Sequence, residues 1–312
     1  MTARILVSDK LSTDGLAVLD AAKSVLSYDN KTGLSADDLK KIIGEYDGII
    51  IRSATKLTKD ILSAATKLKV VARAGVGVDN VDLAYAKEKG IAVMNTPGGS
   101  TSAVAELALA MMLGMARRLT EADGSMKAGK WEKKTMEGVQ LAGKTLGIIG
   151  MGRIGRKLAQ YCRALGMTTI GYDPIVTADA EGLTRVSLDN VLRMSDYISL
   201  HVPLTPETKH VVNDAAIAKM KKGVRILNCA RGGVIDEAAL ARALDSGQVA
   251  GAGLDVFEAE PPAAGSVATH PKVIATPHIG AATAEAQSSV SSEAAEIIVH
   301  YVKTGEIMNR VA

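Results

Sequence analysis

At 312 residues the chain exceeds what one small core needs, so two domains are the first expectation. The formal net charge of +3 is spread along the chain rather than gathered in basic blocks, which excludes a nucleic-acid footprint of the usual kind and reads as ordinary solvated surface. Hydrophobic residues make up 47% of the chain, yet it holds only one Trp, seven Tyr and one Phe. Its cores must therefore be built from Ala, Val, Ile, Leu and Met, a composition that suits helices laid on parallel strands.

The two cysteines, Cys162 and Cys229, lie in unrelated settings that suggest no bridge and fit a reducing compartment. Met1 leads directly into the apolar Ile5-Leu6-Val7, without the basic-then-apolar pattern of an export leader. The longest apolar helix candidate, 107–116, is about half of what a bilayer requires. A cytoplasmic protein without membrane or nucleic-acid partners is expected.

Short apolar runs punctuated by helical patterns begin at once. Arg4–Val7, Gly48–Ile51, Lys69–Ala72 and Ile91–Met94 read as buried strands, the rhythm of parallel α/β structure. The turn-rich Asn95-Thr96-Pro97-Gly98-Gly99 then marks a domain boundary at Pro97-Gly98. A helix is expected over Thr101–Leu119, opened by Ser and Thr capping residues. Six further strands follow, near Thr145–Ile149, Thr168–Tyr172, Tyr197–His201, Arg225–Asn228, Gly251–Asp255 and Val273–Ala275, enough for a dinucleotide-binding sheet. A last helix is expected over Ala282–Lys303, with a short tail returning to the first domain.

Within the second series, strand 145–149 runs into Gly150-x-Gly152-x-x-Gly155, which opens a helix through Arg153 and Ile154, and the next strand ends at Asp173. Gly150 permits the tight turn, Gly152 lets the backbone approach a pyrophosphate, and Gly155 lets the helix lie close to its strand. The helix N-terminus offers open N–H groups and a positive dipole end to phosphates. Asp173, 18 residues after Gly155, can accept from both adenosine ribose hydroxyls and would repel a 2'-phosphate, so NAD is the expected cofactor. No metal ligands are assigned.

Three polar segments leave the carboxyl ends of strands in this series: Asn228-Cys229-Ala230-Arg231-Gly232-Gly233, Asp255-Val256-Phe257-Glu258-Ala259-Glu260-Pro261-Pro262 and Thr276-Pro277-His278-Ile279-Gly280. That edge of an open parallel sheet is where ligands bind. Oxidising a secondary alcohol needs a base for the hydroxyl proton, and His278 is the side chain suited to that exchange near neutrality. Glu260 would orient the imidazole and favour its charged form. Arg231 offers a planar fork to a carboxylate and can polarise the reacting oxygen.

Read together, VARAGVGVDNVD from Val71, NTPGGSTSAVAE from Asn95, LAGKTLGIIGMGRIGRKLA from Leu141, NCARGGVIDE from Asn228, GLDVFEAEPP from Gly253 and TPHIGAAT from Thr276 make the chain resemble the D-2-hydroxyacid dehydrogenase family along nearly its whole length. The resemblance implies an NAD-dependent oxidoreductase with the catalytic set Arg231, Glu260 and His278. Beside the cofactor it places His201, Pro203, Cys229, Ala230, Asp255 and Gly280. It implies an α/β fold of two parallel-sheet domains, a Rossmann-type NAD-binding domain (98–284) inserted in a smaller flavodoxin-like substrate domain (1–97 plus 285–312). It also implies a homodimer through the NAD-binding domain, using the helix after Thr101 and the Trp131 segment, and a short form without a C-terminal regulatory domain.

The substrate is expected to be a small anionic 2-hydroxy acid carrying a phosphate. Arg52-Ser53 and Arg73-Ala74-Gly75-Val76-Gly77 leave strand ends of the first domain with cations and open N–H groups for a carboxylate and a phosphate. Lys133, beside Lys134, stands where similar sequences carry Arg, and Val76 where they can carry Thr. Pairing of the two arginines with Asp47 or Asp79 is the competing explanation for their presence. Two other functions remain open: a reductase of unphosphorylated acids such as glyoxylate or hydroxypyruvate, and an NAD-responsive corepressor-type binding protein.

Overall fold

The computed structural model describes residues 2–312. It divides into two compact units, one formed by the described chain up to Ser100 together with Ala282–Ala312, the other by Thr101–Ala281.

The first unit starts with β1 (Ala3–Val7), α1 (Thr13–Ala21), β2 (Leu26–Asn30), α2 (Ala36–Ile42), β3 (Gly48–Ile51), α3 (Lys59–Ala64), β4 (Val70–Arg73), α4 (Leu83–Glu88) and β5 (Ala92–Asn95). The strands are all parallel in the order β2-β1-β3-β4-β5, a flavodoxin-like winding. Each helix begins at a capping side chain that accepts from the N–H three residues on: Ser12 from Gly15, Ser35 from Asp38, Thr58 from Ile61 and Asp82 from Tyr85. Alternate side chains of the strands enter two cores. Ile5, Val7, Ile50 and Val70 share one with Val290, Ala294 and Ile298, while Leu6, Ile49, Ile51 and Val71 share the other with Leu39, Ile43 and Ile61.

The second unit contains α5 (Thr101–Ala116), α6 (Leu119–Lys127), β6 (Thr145–Ile149), α7 (Arg153–Ala164), β7 (Thr168–Tyr172), β8 (Thr184–Arg185), α8 (Leu188–Met194), β9 (Tyr197–Leu200), α9 (Asp214–Ile217), β10 (Val224–Asn228), α10 (Glu237–Ser246), β11 (Val249–Leu254) and β12 (Val273–Ala275). Its parallel sheet runs β12-β11-β10-β9-β6-β7-β8, so the chain reverses direction across the sheet between β6 and β9. That reversal is the switch point at which doubly wound sheets bind nucleotides. The chain then returns to the first unit through α11 (Ala284–Thr304), capped by Thr283 and closed by Gly305 at φ 75°. The tail follows β5, with Val93 N donating to Ala312 O at 3.1 Å.

The α/β class with two parallel sheets is as the sequence led one to expect, with three corrections of detail. The first sheet gains β2, whose LSYDN has no apolar run because it is a half-exposed edge. The second sheet gains the two-residue edge strand β8. The helix expected to reach Leu119 ends at Ala116, because Arg118 takes a left-handed conformation at φ 51° and its guanidinium bonds Glu121 and the Thr135 carbonyl. From residue 117 to 140 no side chain is buried, and Trp131 is 78% exposed.

Candidate active site

The turn after β6 is built for close approach. Gly150 sits at φ 101°, and a Cβ there would lie 2.4 Å from the His201 carbonyl oxygen, while one on Gly155 would lie 2.3 Å from Gly150 O. A Cβ on Gly152 would meet nothing within 4 Å. Gly152 is also the N-cap of α7 and has no side chain to cap it, so the first-turn N–H groups of Arg153, Ile154 and their neighbours remain for a pyrophosphate. The loop therefore fits a dinucleotide.

At the end of β7, Asp173 accepts from Met151 N (2.8 Å), Ile175 N (2.8 Å) and Val176 N (3.1 Å). Burial pushes its carboxyl up, but these donors outweigh it and hold the group below the usual carboxylate range. Three of its roughly four acceptor positions are thus occupied, leaving about one, rather than the two expected, for a ribose hydroxyl in this arrangement.

His201 follows β9. Its Nε2 shares a hydrogen bond with Ser199 Oγ (2.9 Å), and its Nδ1 is buried without a partner among the described residues. Burial pushes the imidazole down to about 4, so it is neutral at physiological pH. Pro203, exposed, accepts from Thr208 Oγ1 at 2.6 Å.

Three loops leave β10, β11 and β12 together. Asn228 braces the first, accepting from Ala230 N at 3.0 Å and donating to Arg231 O at 2.8 Å. Arg231 Nη1 donates to Ala230 O at 2.6 Å. A Cβ on Gly232 would lie 1.8 Å from Phe257 O, so the first two loops meet backbone to backbone and only glycine fits. The Cys229 thiol lies in the core against Met111 Sδ at 3.9 Å, and burial pushes it up to about 12. Buried Asp255 ties the second loop to the third: its carboxylate accepts from Ile279 N and Gly280 N, both at 2.7 Å, and from Thr276 Oγ1 at 2.5 Å, while its carbonyl accepts from His278 N at 2.9 Å.

These ties bring Glu260 and His278 into contact. Glu260 Oε2 lies 2.8 Å from His278 Nδ1, and Glu260 Oε1 accepts from Phe257 N at 3.2 Å. His278 holds a left-handed backbone, φ 54°, and its side chain is half exposed. With Nδ1 committed to the carboxylate, Nε2 is the ring atom left to exchange a proton. Glu237 and Glu258 cross-bond through each other's backbone N–H (3.2 and 2.6 Å), and His210 Nε2 lies 3.2 Å from Glu258, bracing the loop just before Glu260.

In the first unit, the Arg52 guanidinium donates to Lys10 O at 3.1 Å and to the side-chain oxygen of Gln287. It forms no ion pair with any described carboxylate, so its pairing with Asp47 or Asp79 is not found. Ser53 is exposed beside it. Arg73 Nη1 donates to Ala74 O at 3.2 Å and lies over Gly75, where φ is 137° and a Cβ would fall 1.5 Å from it. Gly75 N donates to Thr96 Oγ1 at 2.6 Å, and the Val76 carbonyl, next to half-buried Gly77, accepts from Asn95 Nδ2 at 2.6 Å. Lys133 lies in an exposed turn, Lys133–Thr135, of the second unit, where its carbonyl accepts from Met136 N at 3.4 Å and its side chain makes no hydrogen bond or ion pair among the described residues. Asn228, Glu237, Glu258 and Gln287 were not singled out from the sequence, because each acts on groups that motif spacing does not encode. Among the described residues no cluster of three or more His, Cys, Asp or Glu could hold a metal, and no helix is long and apolar enough to cross a membrane.

Residues 109–280 match the model of the D-isomer specific 2-hydroxyacid dehydrogenase NAD-binding domain. The chain is 48% identical over 304 residues to D-3-phosphoglycerate dehydrogenase of Pongo abelii, covering 96% of this chain and 56% of that protein, so it spans about half the length of the curated relatives it matches. It is similar to a solved glyoxylate reductase from Paecilomyes thermophila at 33% identity and TM-score 0.93, covering 99% of this chain and 98% of that one. It is likewise similar to a D-lactate dehydrogenase from Aquifex aeolicus solved with NAD and lactic acid, at 33% identity and TM-score 0.84, with the same coverage. The chain belongs to the D-isomer specific 2-hydroxyacid dehydrogenase family, and its second unit is that family's NAD-binding domain.

Proposed function

We propose that the protein is a D-3-phosphoglycerate dehydrogenase, oxidising 3-phosphoglycerate to 3-phosphohydroxypyruvate at the head of a phosphorylated route to serine. The His278–Glu260 pair at 2.8 Å, on the strand ends of an NAD-binding sheet, carries the dehydrogenase reading. The 48% identity to phosphoglycerate dehydrogenases, against 33% to the glyoxylate reductase, favours the phosphorylated substrate.

NAD, when bound at Gly150, Gly152, Gly155 and Asp173, supplies the hydride acceptor. His278 Nε2 takes the hydroxyl proton of the substrate as its C–H hydride leaves, and the imidazolium is stabilised by Glu260 through Nδ1–H. Arg231 grips the substrate carboxylate and polarises the reacting oxygen. Arg52 and Arg73 take the phosphate, Arg52 being held by neutral acceptors that leave its charge unbalanced.

NAD-linked oxidation of 3-phosphoglycerate, D-glycerate and D-lactate tests the assignment, with a large preference for the first expected. Equal efficiency on D-glycerate would instead support the reductase reading that the glyoxylate reductase likeness favours. The exposed 117–140 run with Leu119, Met126 and Trp131 supports a homodimer through the NAD-binding unit. Light scattering giving a mass near the 32.5 kDa of one chain would reject the dimer.

A further inference from the structure

The loop after β3, Arg52-Ser53-Ala54-Thr55, is gripped by two side chains from elsewhere in the first unit. Buried Asp9, just past the end of β1, accepts from Arg52 N (2.5 Å), Thr55 N (3.1 Å) and Thr55 Oγ1 (2.9 Å). Half-buried Asn80 donates from Nδ2 to the other side of the same residues, Arg52 O (2.7 Å) and Thr55 O (2.6 Å). Ser8 Oγ, 2.9 Å from Thr55 Oγ1, extends the network. Both peptide N–H groups and both carbonyls at the ends of the loop are thereby satisfied by side chains, a costly set of buried partners to leave unmade. The exposed Ser53 and Ala54 form the apex, and Arg52 leaves the fixed end.

We propose that Asp9 and Asn80 are positioning residues that set the enzyme's affinity for its anionic substrate by fixing the backbone from which Arg52 reaches. This rests on the assignment of Arg52 to the substrate anion. A loop released on either side lets the Arg52 fork wander, and a bidentate contact depends on angle as well as distance. The roles of the clamp are geometric rather than ionic. Asp9→Asn can keep an acceptor for the two backbone N–H groups while its amide donates to Thr55 Oγ1, so it should preserve function.

The test measures KM for 3-phosphoglycerate, KM for NAD and kcat in Asp9→Ala, Asp9→Asn, Asn80→Ala and Arg52→Ala and in the Arg52→Ala double variants. Asp9→Ala and Asn80→Ala should each raise the KM for 3-phosphoglycerate about ten-fold, with kcat and the NAD KM changed by less than about two-fold. Asp9→Asn should stay near wild type, and on the Arg52→Ala background the clamp changes should add almost nothing. Asn80→Ala carries the test alone if Asp9→Ala does not fold. An additive effect on that background, an equal rise in the NAD KM, or unchanged KM beside a raised Arg52→Ala value would overturn the clamp. A wild-type KM in Arg52→Ala would overturn the assignment of Arg52 and the clamp with it.

Discussion

The loops that carry His278 and Glu260 in the second unit and the β3 loop that carries Arg52 in the first are held by different means. At β10, β11 and β12 carboxylates tie the loops together: Asp255 accepts from Ile279 N, Gly280 N and Thr276 Oγ1 of the next loop, and Glu260 binds His278 at 2.8 Å. At β3 the cation meets neutral groups, with Arg52 on Lys10 O and Gln287. A proton carrier needs a charged partner to fix its ring and stabilise its charged form. An anion receptor needs its charge left unspent, and neutral acceptors orient an arginine without neutralising it.

If the two regions divide the labour in this way, changes in each should strike different kinetic constants. The largest effect falls on turnover. His278→Ala should lower kcat by about a hundred- to ten-thousand-fold while NADH binding, read by fluorescence, stays within a few-fold. Near-full turnover at neutral pH would remove His278 from the proton transfer. Glu260→Gln should cost less, about ten- to a hundred-fold in kcat. Its amide can still accept from Nδ1–H but sets a donor against Phe257 N, and the anion is lost. A Glu260→Gln enzyme with wild-type kcat would dissolve the pair.

Sequence made one region far more legible than the other. The Gly150, Gly152 and Gly155 pattern states local backbone needs, and the structure shows the close approaches behind two of those glycines and the open space beside the third. His278 and Glu260 were readable as partners because a parallel sheet collects strand ends on one edge, however distant in sequence. The polar edge strand β2 and the Arg118 break carry no such pattern, since the first lacks an apolar face and the second lacks Gly or Pro. Asp9 and Asn80 were invisible because their partners are backbone groups 43 and 28 residues away at Arg52, and a side chain seeking a peptide group leaves no paired residue type to find. The same holds for Asn228, which braces its own loop.

The most direct measurement of that division is kcat/KM for 3-phosphoglycerate and for D-glycerate in wild type, Arg52→Ala and Arg73→Ala. Both acids present a carboxylate and a carbinol, and they differ in the phosphate. Loss of a charge-assisted phosphate contact should lower kcat/KM for 3-phosphoglycerate by roughly ten- to a hundred-fold and lower that for D-glycerate much less. Equal losses for the two acids, or a wild-type enzyme that uses both equally well, would contradict it.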